Sequence, residues 1–171
     1  MTDLGQRLRR HPFVATLSED NITTLESCGL SYLSFEPGDK LVREGKVADS
    51  CFLIDRGDVS LEMYVDRAES RVLQVVHAGE IVGWSWLLPP YLGTSEATAL
   101  APVTALRIDA DLLRETMERN RDFGYAMLVR VCAVAVSRLE ASRRELLDLY
   151  ARERTESGKR PIQPGDMRRV G

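Results

Sequence analysis

Short runs of alternating apolar and polar residues fill the chain between residues 31 and 109. Each run has five to seven residues of strand-like composition, and glycine-centred turn sequences separate the runs. The runs recur at intervals of about ten residues, which predicts an antiparallel sandwich or barrel rather than alternating strands and helices. The runs are SYLSFE, SCFLID, VSLEMYV, RVLQVV and TALRI, and the turns are PGD, EGK, RGD and AGE.

Helical patterns flank this region on both sides. Before it, the segment ATLSEDNITTLESCG predicts a short helix that Ser18 caps and Gly29 ends, with two acidic residues in its first turn. After it, DADLLRETMERN predicts a second short helix, and Asp122 begins a long helix that runs to about Arg152. The expected fold class is therefore mainly β with flanking helices.

The long helix carries an apolar seam whose members recur at alternating intervals of four and three residues. In its first half Met127, Val131 and Val134 widen the apolar face, which predicts packing against the β domain of the same chain. Beyond Leu139 we expect a partner helix, so the seam predicts a homodimer. The alternative, in which the whole seam packs on its own domain, stays open at this point. The seam residues are Leu128, Cys132, Ala135, Leu139, Ser142, Leu146 and Leu149.

Bulk composition is that of an ordinary globular protein. The 171 residues carry a net charge of −3, with 44% hydrophobic and 29% charged residues, so overall charge does not indicate nucleic-acid binding. The three cysteines, Cys28, Cys51 and Cys132, form no C-x-x-C pair and indicate reduced thiols in a cytoplasm. The N-terminus has no apolar leader pattern, and the longest apolar stretch contains Arg130. We expect a soluble, cytoplasmic protein that does not enter membranes.

Catalytic motifs are weak. The segment GWSWL resembles the nucleophile elbow G-x-S-x-G but lacks its last glycine. A catalytic triad around Ser85 would need one of the two histidines, His11 or His77, and His77 is interpreted as a surface or cap residue. Neither His nor Cys clusters occur at metal-ligand spacing. We expect neither enzymatic activity nor a bound metal.

The order of these features resembles a cyclic-nucleotide-binding domain, as found in catabolite-activator-like bacterial regulators and cyclic-nucleotide-dependent kinases. The resemblance covers about residues 11–152, through the segments HPF, FEPGDKLVREGKVADSCFLIDRGDVSLE and HAGEIVG. It implies a double-stranded β-helix (a jelly roll or β-roll) followed by a long C-terminal dimerisation helix. The implied divisions are an N-terminal lead (1–10), a β-roll with its N-terminal helix (11–121), the long helix (122–152) and a tail expected to be disordered (153–171).

In that family a phosphate-binding cassette grips the ligand through helix amides, an Arg on the phosphate and a Glu on the ribose. Here Gly83 stands at the second cassette glycine, but Trp84 follows it in place of the Glu. Counted back from the strand EATALA, the Arg position falls at Ser95, or at Thr94 if the register slips by one. No Lys or Arg lies between Trp84 and Thr98. The loss of both charged groups predicts cyclic nucleotide binding weaker by about two orders of magnitude or more.

Two interpretations of this altered cassette remain open. Its aromatic and proline residues either fill a vestigial pocket or line a less charged pocket for a different small molecule, whose polar group would meet the amides after Gly83. Ser85 is expected to cap the short cassette helix. The candidate pocket residues are Gly83, Trp84, Ser85, Trp86, Thr94, Ser95 and Ala97.

The expected function is thus a non-catalytic, ligand-sensing regulatory module that signals to a protein partner, with a cyclic nucleotide or another small molecule as ligand. One alternative is a structural interaction subunit with an occluded pocket. Another is a low-affinity cyclic AMP or GMP receptor, in which Arg130 or Arg138 of a dimer partner reaches the phosphate. About 20 residues follow Arg152, too few for the helix-turn-helix domain of the family's transcription factors, so we expect no sequence-specific DNA binding. The mildly basic tail is interpreted as a solvated segment.

Overall fold

The computed structural model describes residues 3–64 and 70–157, with side chains to residue 152. Within these residues, eight strands form two four-stranded antiparallel sheets. The first sheet has the order β1 (Ser31–Phe35), β8 (Val103–Asp109), β3 (Ser50–Arg56) and β6 (Ile81–Val82). The second has the order β2 (Lys40–Val42), β7 (Glu96–Ala99), β4 (Val59–Tyr64) and β5 (Ser70–Val76).

The main apolar core lies between the two sheets. Phe52 and Ile54 of β3 contribute from the first sheet, and Val59, Leu61 and other residues contribute from the second. This arrangement confirms the predicted β-roll. All five strands expected from alternation are present, as is the strand EATALA. The sequence does not predict β2 and β6, because strands of three and two residues are too short to show a period of two.

Helices precede and follow the roll. They are α1 (Asp3–Arg10), α2 (Glu19–Glu26), α3 (Ala110–Arg119) and α4 (Arg121–Ser157), with two single-turn 3-10 helices at Pro12–Val14 and Ser85–Leu87. The predicted ends of α2 are confirmed, because the Ser18 hydroxyl accepts a hydrogen bond from the Asn21 N–H at 3.3 Å and Gly29 has a φ of +67°. The segment expected as a lead forms α1, and its Leu8 is fully buried.

The long helix α4 begins one residue before the expected Asp122 and extends beyond Arg152 to Ser157. The expected disordered tail therefore includes helical residues up to 157, while residues 158–171 lie outside the described part of the chain. Residues up to Cys132 form one compact unit with the roll, and residues from Ala133 onward form a second unit.

Within the first unit, α4 buries Phe123, Met127 and Val131. The burial of Met127 and Val131 was predicted from the widened apolar face. In the second unit the seam leucines lie exposed, with exposed fractions of 50% for Leu139, 51% for Leu146 and 53% for Leu149. No helix in the described residues has the length and apolarity needed to cross a bilayer.

Candidate functional site

Gly83 opens the cassette at a point of close backbone approach. The short strand β6 pairs with β3 and delivers the chain to Gly83, whose φ is +76°. A Cβ at this position would lie 3.1 Å from the Ser50 carbonyl oxygen and 3.1 Å from Cγ2 of Val42. Both the left-handed backbone and the crowding require glycine here, which explains the retained cassette glycine in physical terms.

The 3-10 helix Ser85–Leu87 is the cassette helix. Its N-cap position is held by Trp84, which makes no side-chain capping hydrogen bond. The expectation that Ser85 caps this helix is therefore wrong, because Ser85 is the first residue inside it. The Ser85 hydroxyl instead lies 3.3 Å from the Thr94 hydroxyl. This contact brings the two sides of the predicted pocket together through neutral hydroxyl groups.

The two cassette tryptophans have different environments. Trp84 is half-buried, whereas Trp86 is fully buried. The indole Nε1 of Trp86 has no hydrogen-bond partner within residues 3–64 and 70–152, and such an unpaired buried N–H costs about 1–3 kcal/mol. Trp86 is not part of the core between the sheets, and its helix contacts α3. Trp86 therefore anchors the cassette helix, and Trp84 is the tryptophan with solvent access.

Arg114 of α3 holds the cassette from the outside. Its Nη1 donates to the Trp86 carbonyl oxygen at 2.9 Å, and its guanidinium lies 4.6 Å from the centroid of the Tyr91 ring. Arg114 also pairs with Asp111 on its own helix. The sequence gives no local signal for this contact, because 28 residues separate Arg114 from Trp86.

The segment after the cassette helix is fixed by backbone hydrogen bonds to the turn between β2 and β3. The Gly93 N–H donates to the Lys46 carbonyl and the Gly45 N–H donates to the Gly93 carbonyl, both at 2.8 Å. A Cβ at Gly93 would lie only 2.5 Å from the Arg43 carbonyl oxygen. The chain that closes the cassette is thus locked in place by protein contacts alone.

Ser95, at the expected Arg position, is half-buried immediately before β7, and Thr94 beside it is exposed. Ala97, two residues further, is fully buried in the core between the sheets. Ser95 and Thr94 each present a hydroxyl group and Ala97 a methyl group, so none of the three supplies a positive charge to a phosphate. The predicted pocket residues therefore lie in one contiguous region, but the charge that a cyclic phosphate requires is not supplied by them.

Glu96 is the single residue between Trp84 and Thr98 that is charged at neutral pH, and sequence reasoning gave it no role. Its carboxylate is 6% exposed and accepts hydrogen bonds from Lys40 Nζ at 2.5 Å and from the Glu44 N–H at 3.4 Å. The hydrogen bond that Lys40 donates to Glu96 raises the pKa of Lys40. This pair commits the nearest cation on β2 to an internal carboxylate and leaves it unsuited to binding a ligand anion.

Both histidines are engaged away from Ser85. His11 Nε2 donates to the Ile54 carbonyl at 3.0 Å, and His77 Nδ1 pairs with Asp58 at 2.7 Å on the surface. The surface interpretation of His77 agrees with this contact. Within the described residues, no group of three or more His, Cys, Asp or Glu side chains is arranged to hold a metal ion.

The chain is similar to known proteins in both sequence family and fold. The family model described as "Cyclic nucleotide-binding domain" matches residues 32–120. A candidate cyclic nucleotide-binding protein from Geobacter metallireducens GS-15 is 31% identical, covering 81% of this chain and 99% of that one, with a TM-score of 0.71. The N-terminal domain of a transcriptional regulator from Streptomyces coelicolor A3(2) is 26% identical, covering 77% and 93%, with a TM-score of 0.61. No curated protein matches the chain.

A third similar structure shares the fold alone. It is the regulatory subunit of a cAMP-independent protein kinase A from Trypanosoma brucei, solved as a triple mutant that includes a Thr-to-Arg change and is bound to cAMP in the A site. It is 22% identical, covering 71% of this chain and 48% of that one, with a TM-score of 0.56.

Proposed function

Because the chain belongs to the cyclic nucleotide-binding domain family, we propose that it is a non-catalytic regulatory module of the cytoplasm that senses a small molecule other than cyclic AMP or GMP. The observation that carries this proposal is the combination of an intact cassette backbone at Gly83 with Trp84 and Ser95 at the positions of the family's ligand-binding Glu and Arg. The signal would pass to a protein partner through α4.

The energetic argument concerns the phosphate. A buried phosphate without a cationic partner loses the charge-assisted hydrogen bonds that favour it over water, each contributing about 1.5–3 kcal/mol. Lys40 is the cation of the neighbouring strand β2, and Glu96 already holds it. The groups that remain for a ligand are the Ser85 and Thr94 hydroxyls and the half-buried indole of Trp84, which favour an uncharged or weakly charged molecule with an aromatic or apolar body.

Isothermal titration calorimetry with cyclic AMP and cyclic GMP tests the proposal directly. We expect the wild-type chain to show no saturation below about 100 µM nucleotide, because both charged anchors are missing. Micromolar or tighter binding of either nucleotide by the wild-type chain would overturn the proposal.

A gain-of-function variant sharpens the test. Trp84→Glu with Ser95→Arg restores both charged groups and is expected to tighten cyclic AMP binding by about 100-fold. The matched control is Trp84→Gln with Ser95→Gln, which removes the same indole but adds no charge and is expected to bind no better than wild type. If both double variants bound cyclic AMP equally and more tightly than wild type, bulk at residue 84, and not charge, would be what excludes the nucleotide.

The second candidate function is a structural interaction subunit with an occluded pocket. Trp86 and the Arg114 contact favour it, because both hold the cassette in place without a ligand. A thermal-shift screen of nucleotides and metabolites separates the two functions. A melting temperature that rises with ligand concentration supports the sensor, and no shift across the whole screen supports the interaction subunit.

The low-affinity receptor has less support. It requires an arginine of α4 in one protomer to reach the phosphate of a nucleotide bound to the other protomer. Arg130 Nε donates to the Phe13 carbonyl at 2.7 Å, and its guanidinium lies 5.3 Å from the Phe13 ring centroid. Arg130 would have to leave both contacts before it could bind a nucleotide elsewhere.

A further inference from the structure

A cavity of about 500 Å³ lies on the first compact unit, away from the cassette. Its walls come from α1, from the end of β3 and from the turn that precedes β6. The lining residues that matter for its chemistry are Arg7, Arg10, His11, Asp55, Arg56 and Gly79. None of the predicted cassette residues belongs to this lining, so the cavity is separate from the proposed sensor pocket.

The inner end of the cavity is rigid. Gly79 has a φ of +90°, and a Cβ there would lie 3.1 Å from Cγ of Pro12, so the turn packs closely against the chain that follows α1. The Gly79 N–H and His11 Nε2 both bond to the Ile54 carbonyl, at 2.7 Å and 3.0 Å. Burial lowers the pKa of His11, so the imidazole contributes no positive charge at neutral pH. The lining is therefore formed without any ligand.

Arg7 is already neutralised. It contacts Asp3 at 3.1 Å and Asp55 at 3.3 Å, and its guanidinium lies 4.8 Å from the Tyr32 ring centroid. These contacts occupy both carboxylates that line the cavity. Together Arg7, Asp3 and Asp55 carry a net charge of −1, so the lining with Arg10 and Arg56 carries a net charge of +1.

Arg10 and Arg56 provide the uncompensated charge. Both residues line the cavity, both are exposed, and neither has an ion-pair partner within the described residues. Arg10 lies at the end of α1 and Arg56 at the end of β3. Guanidinium groups such as theirs bind carboxylate and phosphate oxygens through paired hydrogen bonds. The cavity volume is within the range of small-molecule sites, about 300–1,000 Å³.

We propose that this cavity binds a small oxyanion, the phosphate or carboxylate group of a free metabolite, between Arg10 and Arg56. The chain then has two ligand sites of different chemistry. The cassette favours an uncharged or weakly charged molecule, and the cavity beside α1 takes an anion. The second site does not depend on the function proposed for the first.

Calorimetric titration of the full chain with inorganic pyrophosphate and with citrate, in about 150 mM NaCl to screen diffuse surface attraction, tests the site. We expect at least one of the two anions to bind with a Kd of about 0.1–1 mM. Binding of pyrophosphate alone would identify a phosphate ligand, and binding of citrate alone a carboxylate. Failure of both to bind at about 10 mM overturns the proposal.

Variants locate the binding. Arg10→Gln with Arg56→Gln is expected to weaken anion binding by at least about tenfold. The melting temperature should not change, because neither arginine has an ion-pair partner within residues 3–64 and 70–152. Arg119→Gln and Arg121→Gln together remove the same charge from exposed positions on other helices and are expected to change the Kd less than about twofold. Trp84→Ala in the cassette is expected to leave the Kd unchanged, which separates this proposal from the sensor function. The proposed site beside α1 is contradicted if both pairs of arginine substitutions weaken anion binding equally, or if Trp84→Ala abolishes it.

Discussion

Arg114 Nη1 donates a hydrogen bond to the carbonyl oxygen of Trp86 at 2.9 Å, across 28 residues of sequence. The same guanidinium lies 4.6 Å from the ring centroid of Tyr91. One side chain of α3 thereby contacts both the cassette helix and the residue that ends the proline-containing segment after it. Arg114 therefore links the cassette to α3.

Arg114→Ala is expected to loosen the cassette. It removes a hydrogen bond to a buried carbonyl and a cation–π contact, together contributing about 1–2 kcal/mol. Hydrogen exchange should become faster for the amides of residues 84–92, and the melting temperature should fall by several degrees, roughly 2–8 °C. Arg119→Ala is the control, because that side chain is 80% exposed and pairs with Glu115 on its own helix. Unchanged exchange in the cassette of Arg114→Ala would show that the contact does not hold it.

Gly83→Ala separates backbone strain from steric crowding when it is compared with Gly38→Ala. Both glycines have positive φ values, +76° and +92°, so each alanine should cost about 1 kcal/mol in backbone strain. A Cβ at Gly38 meets nothing within 4 Å, whereas one at Gly83 lies 3.1 Å from the Ser50 carbonyl oxygen. We therefore expect Gly83→Ala to lower the free energy of unfolding by about 1–3 kcal/mol more than Gly38→Ala, measured by urea denaturation. Equal losses would contradict the close approach at Gly83.

The sequence predicts those parts of the fold whose causes are local. Ser18 and Gly29 mark the ends of α2 because a cap and a left-handed residue act within one helical turn. The strands follow from a period of two that needs no knowledge of their partners. The glycine at residue 83 is recognisable for the same reason, since its backbone requirement belongs to a single residue.

The contacts that define the site are not local, and alternation does not reveal them. Lys40 and Glu96 are 56 residues apart, and their pairing depends on β2 lying beside β7. The two cassette tryptophans are two residues apart in the same motif, yet packing against α3 buries Trp86 and leaves Trp84 half-exposed. Composition therefore identified an unusual cassette, but the division of roles within it required the tertiary structure.

Acid sensitivity is expected from His11. Burial lowers the pKa of His11 from its ordinary 6.5, while its Nδ1 accepts a hydrogen bond from the Phe13 N–H that the protonated ring could not accept. As the pH falls, the unfolded chain binds this proton before the folded protein does. The stability contributed by the neutral ring is thus complete above about pH 6.5 and is lost as the pH falls towards the lower folded pKa.

Urea midpoints between about pH 7.5 and 5.5 measure this effect, with a limiting slope of roughly 1.4 kcal/mol per pH unit for one proton. His11→Asn keeps an oxygen acceptor for the Phe13 N–H, and the Ile54 carbonyl retains its bond from Gly79, so this variant should fold and show a shallower slope. A slope that is the same in wild type and His11→Asn would assign the acid sensitivity to other groups.

The exposed leucines of α4 test the predicted homodimer. The seam leucines of the second unit are about half exposed, namely Leu139, Leu146 and Leu149. A partner helix that covered them would stabilise the pair of helices by about 25 cal/mol per Å² of apolar surface buried. Leu139→Asp with Leu146→Asp should convert a dimer to a monomer in size-exclusion chromatography with light scattering. Leu147→Asp is the control for Leu146→Asp alone, because it places the same single charge one position off the seam, at a leucine that is 66% exposed. It should leave the dimer intact, because an off-seam residue of a coiled coil faces solvent and not the partner. A monomeric wild type, or equal dissociation by the off-seam substitution, would show that the α4 seam does not join two chains.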